Sequence, residues 1–203
     1  RDVELTSTLF MSLLEEPELL GVKAGLVLQA YLPDAVIWQR RLLEFARRRL
    51  DLGGAPVRLR LVKGANANLE RVESSLRGWP SPVHRAKAEV DAQFKHMLRV
   101  ACEDSALEVA SVGVGSHNLF DIAYALILRE RAQDPERVQI EMLYGMAEPL
   151  RRAVQGVSGQ VLLYVPAVEP EDFPSAVAYL VRRFDENAAE ENFLRHGFAM
   201  AVG

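Results

Sequence analysis

The chain has 203 residues, 49% of them apolar and 26% charged, which suits one globular domain with a sizeable core. Its net charge of -4 excludes the general basic footprint of a nucleic-acid binder, so clusters of cations must be judged locally. No apolar run approaches the roughly 20 residues that span a bilayer, the opening residues carry no signal-peptide pattern, and the lone Cys102 cannot form an internal disulfide, in keeping with a cytoplasmic protein.

Leu5, Leu9 and Leu13 form the apolar stripe of an amphipathic helix over residues 2–16, which Pro17 stops. GLVLQAY (25–31) reads as a short, buried parallel strand. Pro33-Asp34 opens a helix to about Leu50, with Val36, Leu43, Ala46 and Leu50 inward, and Gly53-Gly54 turns the chain into the strand VRLRLV (57–62). That strand runs into Lys63-Gly64 and a helix-like segment. The next helix spans about 86–103, with Val90, Phe94, Met97 and Ala101 on one face, and Cys102 reads as a small residue on that amphipathic helix rather than as a nucleophile, since nothing nearby in sequence supplies a base. LEVASVGV (107–114) is a strand, and Asn118 caps a helix bearing Leu119, Ile122, Ala123 and Leu126. VQIEMLY (138–144) and GQVLLYVP (159–166) are further strands, a last helix runs from about 173 to 186, and 188–203 form a C-terminal tail.

A helix followed by five strand–helix units predicts a parallel sheet with right-handed crossovers. An open doubly wound sheet and a (βα)8 barrel both fit. Five strands are too few to close a barrel, so the barrel reading makes this chain a segment of a longer protein, as does its start at Arg1. Residues 1–187 would be the partial barrel.

Both architectures gather binding residues at the C-terminal ends of strands. In chain order these ends supply Gln29, then Arg60, Lys63, Gly64 and Ala65, then Ser116, His117 and Asn118, then Glu141, Leu143 and Tyr144, then Tyr164. The helix that follows adds Tyr179, Arg182, Arg183 and Glu186. Together they make a polar, cationic rim suited to an anionic ligand such as a nucleotide. Blander readings stand beside this one: Arg58 and Arg60 as the solvent face of an edge strand, Arg182-Arg183 as a solvated pair, His117 as a helix-terminal residue. The histidines (His84, His96, His117, His196) show no metal-ligand spacing, so no metal is expected.

At RLVKGA (60–65) the chain resembles the proline dehydrogenase family, above all the proline dehydrogenase region of bifunctional proline utilisation proteins. The other motifs that carry the resemblance are LQAY (28–31), Gly78-Trp79 followed by Lys87 and Asp91, SHN (116–118), MLYGMAEPL (142–150), LYVP (163–166) and AYLVRRFDEN (178–187). The resemblance runs from about Gly25 to Phe193. It implies a TIM-like (βα)8 barrel distorted around FAD that oxidises L-proline to Δ1-pyrroline-5-carboxylate by hydride transfer to flavin N5, with electrons passed to a quinone. On that pattern Gln29, Lys63, Gly64, Ala65, Ser116, His117 and Asn118 bind the flavin, Glu186 and Phe193 lie beside it, and Arg60 is the catalytic cation near N5. Arg182 and Arg183 grip the proline carboxylate, and Leu143, Tyr164 and Tyr179 pack around its ring.

The resemblance has departures. Asn66-Ala67 stand where many family members have a Tyr-Trp pair, and Glu141 where a glutamine is common. The early strands that carry a substrate-binding lysine and an active-site aspartate are missing, because RDVELT resembles the helix just after that aspartate. A fused aldehyde dehydrogenase and peripheral membrane contact for quinone reduction are further implications; nucleic-acid binding is not. The competing readings are a non-catalytic flavin-binding or structural module and a barrel enzyme acting on a phosphorylated substrate.

Overall fold

The structure is a computed structural model and describes residues 2–165 and 167–188, with backbone alone for 182–188. Along the chain run α1 (Val3–Leu14), a 3-10 turn (Pro17–Leu19), β1 (Gly25–Gln29), α2 (Ala35–Asp51), β2 (Val57–Val62), α3 (Ala67–Leu76) and α4 (Lys87–Ala101). There follow α5 (Asp104–Leu107), β3 (Ala110–Gly115), α6 (Leu119–Arg131), β4 (Val138–Leu143), α7 (Glu148–Ser158), β5 (Val161–Tyr164) and α8 (Phe173–Ala188). The expected elements are all present, with ends shifted by a few residues. Asn118 caps α6 as predicted, its Oδ1 accepting the N–H groups of Phe120 (2.9 Å) and Asp121 (3.3 Å).

The strands pair in parallel in chain order, β1-β2-β3-β4-β5. This order separates the two architectures. A doubly wound sheet reverses its order at a switch point and carries helices on both faces, whereas a sheet wound one way keeps its right-handed crossovers on one face. The described strands are therefore an arc of a singly wound barrel, open at β1 and β5.

Residues paired in register share a face of the sheet. One face carries Leu28, Leu59, Leu61, Val112, Val114, Ile140 and Met142, all buried in one core with Leu42, Phe45, Phe94, Met97, Leu98 and Ile122 from the helices. The other carries Val27, Gln29, Arg58, Arg60, Gly113, Gly115, Gln139, Glu141, Leu143 and Tyr164. Alternation in VRLRLV thus sends leucines to the core and arginines to the opposite face.

Three expectations are corrected. The Leu5–Leu9–Leu13 stripe faces outward, at 67%, 56% and 51% exposure, while Ser7 and Leu14 are buried and Val3, Phe10 and Met11 pack on the core. α1 has two apolar stripes, and periodicity alone cannot choose between them. On α2 the buried set is Ala35, Trp38, Gln39, Leu42, Phe45, Ala46 and Arg49, so only Ala46 of the expected inner face is fully buried; Val36, Leu43 and Leu50 flank it. β1 is parallel as expected but is an edge, with Val27 45% exposed, because no described strand lies beyond it.

Cys102 ends α4 in the core, and burial pushes its thiol pKa up to about 12. A thiol reagent at pH 8 is therefore expected to leave the native protein unmodified and to label it only on denaturation; rapid labelling of native protein would contradict this packing. Among the described residues, no helix is long and apolar enough to cross a membrane, and no group of three or more His, Cys, Asp or Glu could hold a metal ion.

Candidate functional site

The concave face is built around β2. β2 lies between β1 and β3, so Arg58 and Arg60 are not on an edge strand. Both reach across β3 to Glu141 on β4, whose side chain is completely buried. Arg58 Nη2 donates to Glu141 Oε1 at 2.5 Å and to Gln139 Oε1 at 2.8 Å, and Arg60 Nε donates to Glu141 Oε2. The arginines keep 32% and 25% of their side chains exposed, so the face presents guanidinium groups over a buried carboxylate. The Arg60 guanidinium also stacks on Tyr164 of β5, 4.1 Å from the ring centroid.

Past the end of β2, Lys63 turns away from the arginines. Its ammonium bridges Asp91 Oδ1 on α4 (2.5 Å) and Asp121 Oδ2 on α6 (2.6 Å), and Lys87 holds the other oxygen of Asp91 at 2.6 Å. Ser116 Oγ donates to Asp121 Oδ2 at 3.2 Å and accepts the Asn118 N–H at 3.1 Å, tying the β3 end into the network. Burial alone would raise the Asp91 pKa, but hydrogen bonds and charge from Lys63 and Lys87 outweigh it and hold the carboxyl below its ordinary value.

Gly64 follows with φ +101°, and a Cβ there would run into the Tyr31 ring. Only glycine meets both conditions without strain. Tyr31 N–H donates to the Lys63 carbonyl (2.8 Å), and Gln93 holds the carbonyls of Ala30 (3.0 Å) and Leu32 (2.7 Å), which fixes the chain as it leaves β1 beside Gln29. His117 lies after β3, where burial lowers its pKa and its Nε2 accepts the Leu143 N–H at 3.2 Å. An accepting Nε2 is the neutral form of the ring, and in that form His117 anchors β4.

Beside Arg60 and Tyr164 opens a cavity of about 310 Å³ lined by Leu143, Tyr164, Val165, Val168, Ser175, Ala176 and Tyr179. Leu143, Tyr164 and Tyr179, scattered over 37 positions of sequence, thus meet around one small, largely apolar space. Another groove, about 450 Å³, lies between α2 and α4–α5 on the outer side and contains none of the expected site residues. Arg182, Arg183 and Glu186 lie three, four and seven positions beyond Tyr179 on α8, where the structure gives backbone alone, and Phe193 lies outside the described residues.

The partly exposed Arg60 guanidinium has the chemistry that suits an electron-accepting ring such as a flavin, while the missing Cβ of Gly64 makes room for the Tyr31 ring. The Lys63 ammonium is engaged by two aspartates, Asp91 and Asp121. Sequence reasoning missed Asp121 and the pivotal place of Glu141. The signal was present: Gln139 and Glu141 are i, i+2 polar positions in an apolar strand, matching Arg58 and Arg60 in β2.

The family model described as proline dehydrogenase matches residues 1–196. The bifunctional protein PutA of Salmonella typhimurium is 30% identical over 206 residues, covering 95% of this chain and 14% of that protein; that of Escherichia coli K12 is 30% identical over 208 residues with the same coverage. Among solved structures, proline utilization A (PutA) from Corynebacterium freiburgense superposes with a TM-score of 0.86 at 43% identity, covering 98% of this chain and 21% of that one. The structure of PutA from Bdellovibrio bacteriovorus inactivated by N-propargylglycine gives 0.87 at 36% identity, covering 98% and 20%. The chain therefore spans about one seventh of the curated relatives it matches. Strand order, the arginine-bearing concave face and these matches agree: the chain belongs to the proline dehydrogenase family, and its fold is the (βα)8 barrel type of that family, represented here by a five-strand arc.

Proposed function

We propose that this chain forms the cofactor- and substrate-binding arc of an FAD-dependent proline dehydrogenase, which oxidises L-proline to Δ1-pyrroline-5-carboxylate in proline catabolism. The observation that carries the reading is the partly exposed Arg60 guanidinium on the concave face, stacked on Tyr164, a wall of the small Leu143–Tyr164–Tyr179 cavity.

FAD, when bound, supplies the hydride acceptor. Every other part of the task falls to side chains. Gln29, Arg60, the Gly64–Ala65 turn and the Ser116–Asn118 loop would hold the cofactor, with Glu186 and Phe193 assigned beside it by the family pattern. Arg60 would place positive charge where negative charge accumulates on reduction, which lowers the barrier only if that charge is preorganised. Leu143, Tyr164 and Tyr179 would enclose a small ring and exclude water. Arg182 and Arg183 would take the substrate carboxylate as a bidentate pair, setting the donor carbon. Reoxidation by a quinone at a membrane surface and a fused aldehyde dehydrogenase belong to the same reading, the latter supported by relatives named bifunctional.

The test is an anaerobic visible spectrum of the protein that carries this chain, before and after adding L-proline. The flavin band is expected to bleach, and the double variant Arg182→Ala/Arg183→Ala to slow bleaching by at least about 100-fold. A band that L-proline leaves unchanged would favour a non-catalytic flavin module. Folded protein without flavin would overturn the cofactor assignment.

A further inference from the structure

Glu141 is the one fully buried acid on the concave face among the described residues, and it is shared. One carboxylate oxygen takes Arg58 and the other takes Arg60. The partners stand on β2 and β4, so the carboxylate must pass over β3. It does so at Gly113, the residue in register with Arg60 on one side and Gln139 on the other. A Cβ at Gly113 would collide with Glu141 Oε1 and stand 3.1 Å from Arg58 Nη2. Gln139 takes a second bond from Arg58, which leaves Arg60 held by two things: the carboxylate at Nε and the Tyr164 ring against its plane.

We infer that Glu141 is a positioning and charge-setting residue for Arg60, with Gly113 as the passage that lets its carboxylate reach β2. The inference rests on the reading in which Arg60 faces the flavin. Two guanidinium groups side by side carry two positive charges; one carboxylate between them cancels half and fixes both directions. An isosteric amide keeps the shape and removes the charge. Glu141→Gln therefore leaves a more positive face, which favours the reduced form of an electron acceptor bound against it. The reduction equilibrium of the bound flavin is expected to shift about tenfold toward the reduced form, or about 30 mV upward for a two-electron couple. Gly113→Ala displaces the carboxylate rather than neutralising it, so it should uncouple Arg60 from Glu141 while leaving the charge in place.

Two measurements on the protein that carries this chain test this. Spectroelectrochemical titration compares wild type with Glu141→Gln; an upward shift is expected, and an unchanged or lowered potential overturns the charge-setting role, because packing loss alone has no reason to raise it. Independently of any flavin, a double-mutant cycle on urea unfolding combines Glu141→Gln with Arg60→Gln, in the wild-type and Gly113→Ala backgrounds. Non-additivity in wild type that vanishes with Gly113→Ala is expected; additive effects in wild type overturn the positioning role. Should the protein bind no flavin, the flavin reading fails by itself, while the cycle still decides whether Glu141 holds Arg60.

Discussion

Lys63→Met is expected to lower stability by about 3–5 kcal/mol, the usual cost of stranding a buried charge by removing its partner. Most of that cost arises at Asp121. Its side chain is 2% exposed, and without the ammonium the Ser116 hydroxyl, at 3.2 Å, is the side-chain partner left among the described residues. Asp91 is less exposed to the loss, since Lys87 still holds its second oxygen. Urea unfolding of Lys63→Met, Asp121→Asn and the double variant checks this: the double should recover most of the stability of the first, because it removes the stranded charge. A midpoint for Lys63→Met within about 0.5 kcal/mol of wild type would show that the triad carries no energy. The pH dependence has a fixed sign. The folded-state pKa of Asp91 is depressed, so its contribution is present above the unfolded value near 3.8 and is lost as pH falls through the lower folded value. The gap between wild type and Lys63→Met should accordingly narrow on acidification below about pH 4.

Arg49→Met is expected to cost about 3 kcal/mol or more, through loss of a hydrogen-bond hub rather than of a charge pair. Arg49 is only 2% exposed and donates solely to carbonyls in the bonds described. Nε reaches Ala55 (3.0 Å), Nη1 reaches Leu14, and Nη2 reaches Leu19 (2.7 Å), Leu20 (2.7 Å) and Val22 (3.1 Å). The Leu14 carbonyl ends α1, where unpaired acceptors and the negative end of the helix dipole favour a cation. The guanidinium thereby fastens α1 and the turn after it to α2. Arg49→Lys should rescue little, since a compact ammonium cannot span those directions. Thermal unfolding with hydrogen exchange checks both statements: amides across 14–22 should lose protection in Arg49→Met. Unchanged protection there would refute the hub.

These sites differ in how far the amino-acid sequence announces them. Periodicity located the strands and helices because burial of one face is a local, repeating demand. VRLRLV could only be a strand with leucines on one side and arginines on the other, and Asn118 could be named as a cap from its place before an apolar run. The family motifs, above all RLVKGA, identified the proline dehydrogenase resemblance that the match over residues 1–196 bears out.

Partners distant in the chain were not legible. Arg58 can also be read as a solvated edge residue until β1 is placed beside β2, and Glu141 lies 81 positions from the Arg60 it binds. The ion pairs of Lys63 with Asp91 and Asp121 appear only once α4 and α6 are placed beside the end of β2. Which of two apolar stripes on α1 turns inward, and that an arginine of the ARRRL run is wholly enclosed, depended on what packs against them. The sequence by itself determined the alternation of elements and the family, because both are written in local pattern and in short motifs. Only the tertiary structure decided how the charges pair, because an ion pair is set by separation in space, and the parallel crossovers bring together residues that the chain keeps far apart.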